Sequence, residues 1–319
     1  MTGPTAFIIN GRAGPAFDGG WLHEHRPAIE AIAAGGPITV VDNGGQLRAA
    51  VEQALVLQCA AVVAGGGDGT LNAVASMLVG GPVAFGVLPL GTLNHFAKDL
   101  GIPLDPTAAL QTIAAGHRVA VDVGEVNGHH FLNNSSIGLY VDMVRDRERQ
   151  QTRLGRGKWL AFAWAMLGTL RRYPFMTVTL TVDGQAIAHR TPLVFVGNNA
   201  YLTEGLQIGQ RNGLQGGVLS VYVTERAGRW RLIELGLRAL AGRLRQAKDF
   251  RALLATELHI DTARRRLRVA TDGELRRLDT PLHYRIHPRA LQVIVPAPVP
   301  APAPAPAPTP DRAPTPPQA

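Results

Sequence analysis

One stretch constrains this chain more than any other: Ala60-Ala61-Val62-Val63-Ala64 runs straight into Gly65-Gly66-Gly67-Asp68-Gly69-Thr70-Leu71-Asn72. An unbroken apolar run predicts a strand buried on both faces, the habit of a parallel sheet. The glycines that follow carry no Cβ, so their backbone approaches a ligand closely and offers its N–H groups to an anion. A helical stretch from Ala73 to about Leu78 adds its N-terminal dipole at the same place. Asp68 inside such a cradle repels a bare anion, but suits one that arrives with a Mg²⁺ ion between the carboxylate and the phosphates. The plainer reading is a tight strand–helix turn with Asp68 as N-cap.

The neighbouring segments repeat the pattern. Ala6–Ile9 ends in Asn10-Gly11-Arg12-Ala13-Gly14. Helical stretches around Pro27–Ala34 and Leu47–Gln58 alternate with the β-branched run Ile38–Val41, and Val83–Leu88 leads into Pro89-Leu90-Gly91-Thr92. Short apolar strands alternating with helices predict an α/β domain with helices on both faces of a parallel sheet. Ligands of such sheets bind beyond the carboxyl ends of the strands, where the three glycine-bearing loops lie.

From about Val119 the texture changes. Ala120–Val126, His130–Asn133, Met176–Val182, Leu193–Val196 and Leu219–Val223 are short β-type runs, with Asn127-Gly128 and Asp183-Gly184 as hairpin signals. They predict an antiparallel β domain. The end of the chain is almost all Pro and Ala, which cannot bury a core and favours extended conformations. The expected organisation is therefore 1–122 α/β, 123–296 antiparallel β-sandwich, and 297–319 a disordered tail.

The net charge is +8, from 32 Lys and Arg against 24 Asp and Glu. That suits an anionic lipid surface, a polyphosphate or nucleic acid. Aromatics at 6% and the lack of a recognition motif argue against nucleic acid. The single cysteine, Cys59, excludes an internal disulfide and reads as core. No secretory leader is evident. The apolar run Trp159–Leu170 falls well short of the roughly 20 residues of a membrane span. Two arginine-flanked segments, Arg153–Tyr173 and Arg229–Arg245, read either as interfacial membrane helices or as helices packed on the β domain.

Asn10–Gly14, the GGGDGTLN loop and Pro89-Leu90-Gly91-Thr92-Leu93-Asn94-His95-Phe96-Ala97-Lys98, in this order, resemble the diacylglycerol kinase catalytic-domain family, which includes bacterial lipid kinases and sphingosine and ceramide kinases. The resemblance spans Ala6–Pro296. It implies a sheet related to those of NAD kinases and phosphofructokinases, and a β-sandwich that carries the lipid site. The implied activity is transfer of the γ-phosphate of ATP, with Mg²⁺, to the hydroxyl of diacylglycerol or a related membrane lipid. The implied nucleotide site comprises Asn10, Gly11, Arg12, Ala13, Gly14, Gly65, Gly66, Gly67, Asp68, Gly69, Thr70 and Thr92, with Asn72, Gly91 and Asn94 beside them.

By itself Thr271-Asp272-Gly273-Glu274 reads as a turn with an exposed acid. The resemblance promotes Glu274 to catalytic base, with Asp68 as metal and phosphate organiser and as the rival for the base. A partner surface of anionic lipid follows, with a cytoplasmic enzyme docking peripherally. The family includes both cytosolic homodimers and membrane-associated forms.

Three departures accompany the likeness. Gly11 stands where the family often has Pro, and His95 where it often has an acid. Gly216 stands in Leu214-Gln215-Gly216-Gly217-Val218-Leu219, where relatives often hold a structural Mg²⁺ with Asp, so that metal site is expected to be absent. An NAD kinase-like enzyme with a soluble acceptor shares the GGDGT loop, and a nucleotide-binding regulator that has lost catalysis is a third reading.

Overall fold

The structure, a computed structural model, describes residues 3–13, 19–138, 175–182, 184–201, 211, 213–224 and 250–298. Gly14, the two arginine-flanked segments and the tail from residue 299 lie outside the described residues.

The N-terminal part alternates β1 (Thr5–Asn10), α1 (Gly19–Ala33), β2 (Ile38–Val41), α2 (Gly44–Val56), β3 (Ala61–Gly66), α3 (Asp68–Leu78) and β4 (Ala84–Pro89), then α4 (His95–Asp99) and α5 (Pro106–Ala115). β1 to β4 pair in parallel in the order β2-β1-β3-β4. Alternate residues of each strand feed two cores. Ala6, Ile8, Val62, Ala64, Phe85 and Val87 pack with Leu47, Val51, Leu71 and Val74 of α2 and α3. Phe7, Ile9, Ala61, Val63 and Leu88 pack with Ile29, Leu110 and Ile113 of α1 and α5. Burial on both faces is why these strands read as continuous apolar runs.

Then come β5 (Arg118–Val126), β6 (His129–Phe131), β7 (Asn134–Gly138), β8 (Met176–Val182), β9 (Gln185–Thr191), β10 (Leu193–Asn198), β11 (Leu219–Thr224) and β12 (Phe250–Ala255). The chain continues through β13 (Glu257–Thr262), β14 (Arg266–Thr271), β15 (Glu274–Asp279) and β16 (Leu282–Ile294). β12-β11-β10-β7-β14-β15 form a six-stranded sheet. It closes on β5, β8, β13 and β16 over a third apolar core that includes Phe131, Val194, Val221, Val269 and the fully buried Tyr284. The chain is thus an N-terminal α/β domain and a C-terminal antiparallel β-sandwich.

The join between them is β16. Val293 pairs in parallel with Phe85 of β4, while residues 284–294 pair antiparallel with β5. At its other end, residues 282–285 pair with β13. One strand therefore extends the parallel sheet into the sandwich, and residue 122 falls inside β5.

The loop expected over Gly65–Asn72 is shorter than its glycines suggest. β3 continues through Gly66 and α3 begins at Asp68, so Gly67 alone is the N-cap. The first helical bond runs from the Leu71 N–H to the Gly67 carbonyl at 3.0 Å. Asp68 is the first helical residue and Gly67 the cap, which removes the plain reading of Asp68 as N-cap.

Candidate active site

The three glycine loops meet at the carboxyl ends of β1, β3 and β4. The Asn10 amide donates to Thr70 Oγ1 at 2.9 Å, tying the first loop to the first turn of α3. Its Oδ1 receives the Arg12 N–H at 2.9 Å, which fixes the turn after β1. Gly11 donates its N–H to the Val41 carbonyl, and a Cβ there would stand 2.9 Å from Asp42 Oδ1. A proline at Gly11 would lose that bond and collide, so this departure from the family pattern is built into the local packing.

The second and third loops touch through their backbones. The Leu90 N–H donates to the Gly66 carbonyl at 3.1 Å. A Cβ on Gly91 would lie 2.5 Å from Gly67 Cα, closer than real Cβ atoms come to backbone. On Gly66 it would meet the Thr70 side chain at 2.6 Å. Asn94, in the left-handed region at φ 50°, closes the third loop: it accepts from the Gly91 N–H and donates to the Gly91 carbonyl. Asp68 reaches across, with Oδ1 3.4 Å from the Phe96 N–H of α4. Phe96 is fully buried while Thr92, Leu93 and His95 are exposed, so this loop is anchored behind and open in front.

This cradle fits a polyphosphate. The first N–H groups of α3 have no intrahelical acceptor, and the helix dipole adds to them. Asp68 offers a carboxylate at the rim for a cation that accompanies the phosphates. Asn72 is buried behind it, its amide donating to the His130 carbonyl at 3.5 Å. Arg12 is exposed beside the same loops, and Ala13 is buried beneath them.

Glu274 arrives from the sandwich. It opens β15 after the Asp272-Gly273 turn, where both residues have positive φ, at 48° and 85°. Its Oε1 lies 3.3 Å from where a Cβ on Gly69 would stand, and its Oε2 accepts from Arg276 Nη2 at 2.9 Å. The fold thus brings Asp68 and Gly69 together with Glu274, which the sequence places about 200 residues further on.

Several residues that hold this junction gave no signal of their own in the sequence. The Asp272 carboxylate accepts the backbone N–H groups of Leu132, Asn133 and Asn134 at 2.7–2.9 Å. Burial pushes its pKa up to about 6 against those donors. The same segment is gripped from the other side by Arg211, whose side chain is fully buried. Its guanidinium donates to Asp99 Oδ2 through Nε at 2.9 Å and through Nη2, and to the Leu132 and Asn198 carbonyls and Asn133 Oδ1. The stretch after Leu214 is held by Asp122: its Oδ2 accepts from the Gly217 N–H and its Oδ1 from the Arg289 N–H.

Residues 4–126 match the diacylglycerol kinase catalytic domain, and residues 135–295 match the YegS C-terminal NAD kinase beta sandwich-like domain. The chain belongs to the diacylglycerol kinase catalytic-domain family. Within this lipid kinase family, it is 44% identical over 98 residues to a probable lipid kinase YegS-like of Yersinia pestis (strain Pestoides F), 30% of this chain and 33% of that one. The same figures hold for a protein of that description in Yersinia pseudotuberculosis serotype O:1b (strain IP 31758). The matched segment is thus about a third of the length of these curated relatives.

The fold likeness is broader. A Bacillus anthracis str. Sterne diacylglycerol kinase structure superposes with TM-score 0.66 at 22% identity, over 92% of this chain and 97% of that one. Another solved chain of that organism gives 0.70 at 25% identity with the same coverage.

Proposed function

We propose that this chain is an ATP-dependent lipid kinase that phosphorylates the hydroxyl of diacylglycerol or a close relative. The observation that carries the reading is Glu274 Oε1 set against Gly69, beside Asp68 and the glycine loops. Members of this family named as lipid kinases support the substrate class, and the cradle supports the phosphate donor.

In this reading Asn10–Gly14, Gly65–Thr70, Asn72, Gly91, Thr92 and Asn94 hold the nucleotide, and Asp68 holds Mg²⁺. Bound MgATP supplies the transferable phosphoryl group and neutralises charge on it. Glu274 would take the proton of the acceptor hydroxyl as the hydroxyl oxygen bonds to the γ-phosphorus and ADP departs. Arg276, donating to Oε2, holds the carboxylate in place. The side chains of Phe96 and Leu90, both fully buried, pack the third loop from behind and keep water from the cradle floor.

The acceptor lies in a bilayer, so the enzyme docks peripherally, and a net charge of +8 favours an anionic surface. Among the described residues no helix is long and apolar enough to cross a membrane. The test is transfer of labelled phosphate from ATP, with Mg²⁺, to a panel of lipids in mixed micelles. Phosphorylation of one lipid class is the expected result. Transfer to NAD and to no lipid would replace this reading with that of a soluble-acceptor kinase.

A further inference from the structure

Beside α3, which packs on β6, the strands β5, β6 and β16 carry Glu125, His130 and His287, half-buried, whose ligand-type atoms all lie within 4.8 Å of one another. We propose that these three residues form a binding site for a divalent transition metal ion of the zinc class. Nothing in the kinase chemistry above calls on them.

The backbone places them with little freedom. Glu125 and His130 are directly paired across β5 and β6. His287 sits two residues along β16 from Arg285, which itself pairs with Glu125. Residues paired across a sheet or two apart along a strand share a face. Glu125 Oε2 and His287 Nε2 are 2.5 Å apart. The His130 and His287 rings meet edge to face, with centroids 5.7 Å apart and planes at 78°. Two imidazoles bound to one tetrahedral ion at about 2.0–2.1 Å put their centroids near that separation.

The outer contacts are those of an oriented ligand set. Glu125 Oε1 is pinned by the Gly128 N–H at 3.0 Å, which leaves Oε2 toward the histidines. The His130 backbone is tied to α3, its carbonyl accepting from the Asn72 amide at 3.5 Å. Such second partners fix the rings and carboxylates of metal sites. Two imidazoles and one carboxylate, with room for water, suit Zn²⁺, Co²⁺ or Ni²⁺ better than Mg²⁺, which prefers oxygen ligands. Arg285 faces the same group and lowers its affinity for any cation.

A second His–His–Glu group, Glu257, His259 and His283, lies further along the same face. Its Glu257 and His259 are 58% and 46% exposed, against 16% and 30% for Glu125 and His287. Freer side chains lose more entropy on binding. The deeper group is therefore the site, and the outer one serves as an internal control.

A bound ion would join β5, β6 and β16 and, through the His130 carbonyl that accepts from Asn72, brace the helix that begins at Asp68. The test is a Co²⁺ titration of the chelator-stripped, tag-free full chain, read by visible d–d absorption and by thermal unfolding. The expectation is one saturable equivalent in the wild type and in H283Q, displaced by Zn²⁺, with a melting point raised by several degrees. H130Q and H287Q should bind at least about tenfold more weakly and lose the thermal shift. No saturable binding in the wild type overturns the proposal. So does wild-type binding in H130Q and H287Q, or binding lost only in H283Q. If neither H130Q nor H287Q folds, H283Q decides: an equivalent retained there supports the site, and none refutes it.

Discussion

Glu274 and Gly69 meet across the junction of the two domains, with Glu274 Oε1 3.3 Å from the position a Cβ on Gly69 would take. Gly69 lies in the first turn of α3 and has no positive φ, so alanine is allowed by its backbone. G69A should therefore leave the melting point unchanged or slightly raised. The methyl group should displace the carboxylate by a few tenths of an ångström and cut phosphate transfer by about 10- to 100-fold. Steady-state kinetics beside calorimetry separates the two effects.

Gly91 is a different case, because its obstacle is backbone. A Cβ there meets Gly67 Cα at 2.5 Å and Asn94 Oδ1 at 2.8 Å. G91A should push the two loops apart, cost about 1–3 kcal/mol of stability and weaken nucleotide binding. Urea unfolding and a nucleotide-affinity titration check it, and unchanged values for both would mean that the loops do not need this contact.

Arg211 holds α4, through Asp99, to the segment 132–134 that cradles Asp272. R211A strands a carboxylate, two carbonyls and an amide oxygen in a buried site. It should cost about 3–5 kcal/mol. D99N keeps an acceptor and should cost less, and chemical denaturation of both proteins against the wild type orders them.

How much of this was legible in the sequence follows from where the information sits. β1, β3 and β4 and their glycine loops could be read because burial on both faces makes a strand apolar at nearly every position. The site residues Asn10, Asp68 and Asn94 lie inside those loops. Glu274 was picked out only by resemblance; its own residues read as a turn.

β13, β15 and β16 mix charged with apolar residues, as in Glu274-Leu275-Arg276-Arg277-Leu278-Asp279, where Arg276 and Arg277 stand side by side and break a strict alternation. β16 also contains Pro288 and a residue of positive φ, Arg289, at an irregularity between His287 and Leu291. Neither reads as a strand that joins two domains. Arg211 and Asp99 are 112 residues apart, and no local pattern announces that they pair.

Asp272 provides a pH test. Burial raises its pKa in the folded chain from 3.8 to about 6. The folded state then binds the proton more tightly than the unfolded chain. This contribution to stability is full below about pH 4 and fades as pH rises through 6. D272N keeps a residue that tolerates the positive φ and removes the titration. Urea midpoints measured from pH 4 to 7 should show the wild type losing stability relative to D272N as pH rises. A constant difference would mean that the three N–H donors hold Asp272 ionised throughout.

The most direct measurement of the central claim is phosphate transfer to lipid by E274Q, with ATP affinity measured on the same protein. The account predicts ATP binding within about twofold of wild type and a kcat lower by about 100-fold or more, since a positioned base contributes on that scale. A kcat close to the wild-type value, with binding intact, would contradict it and pass the role of base to Asp68.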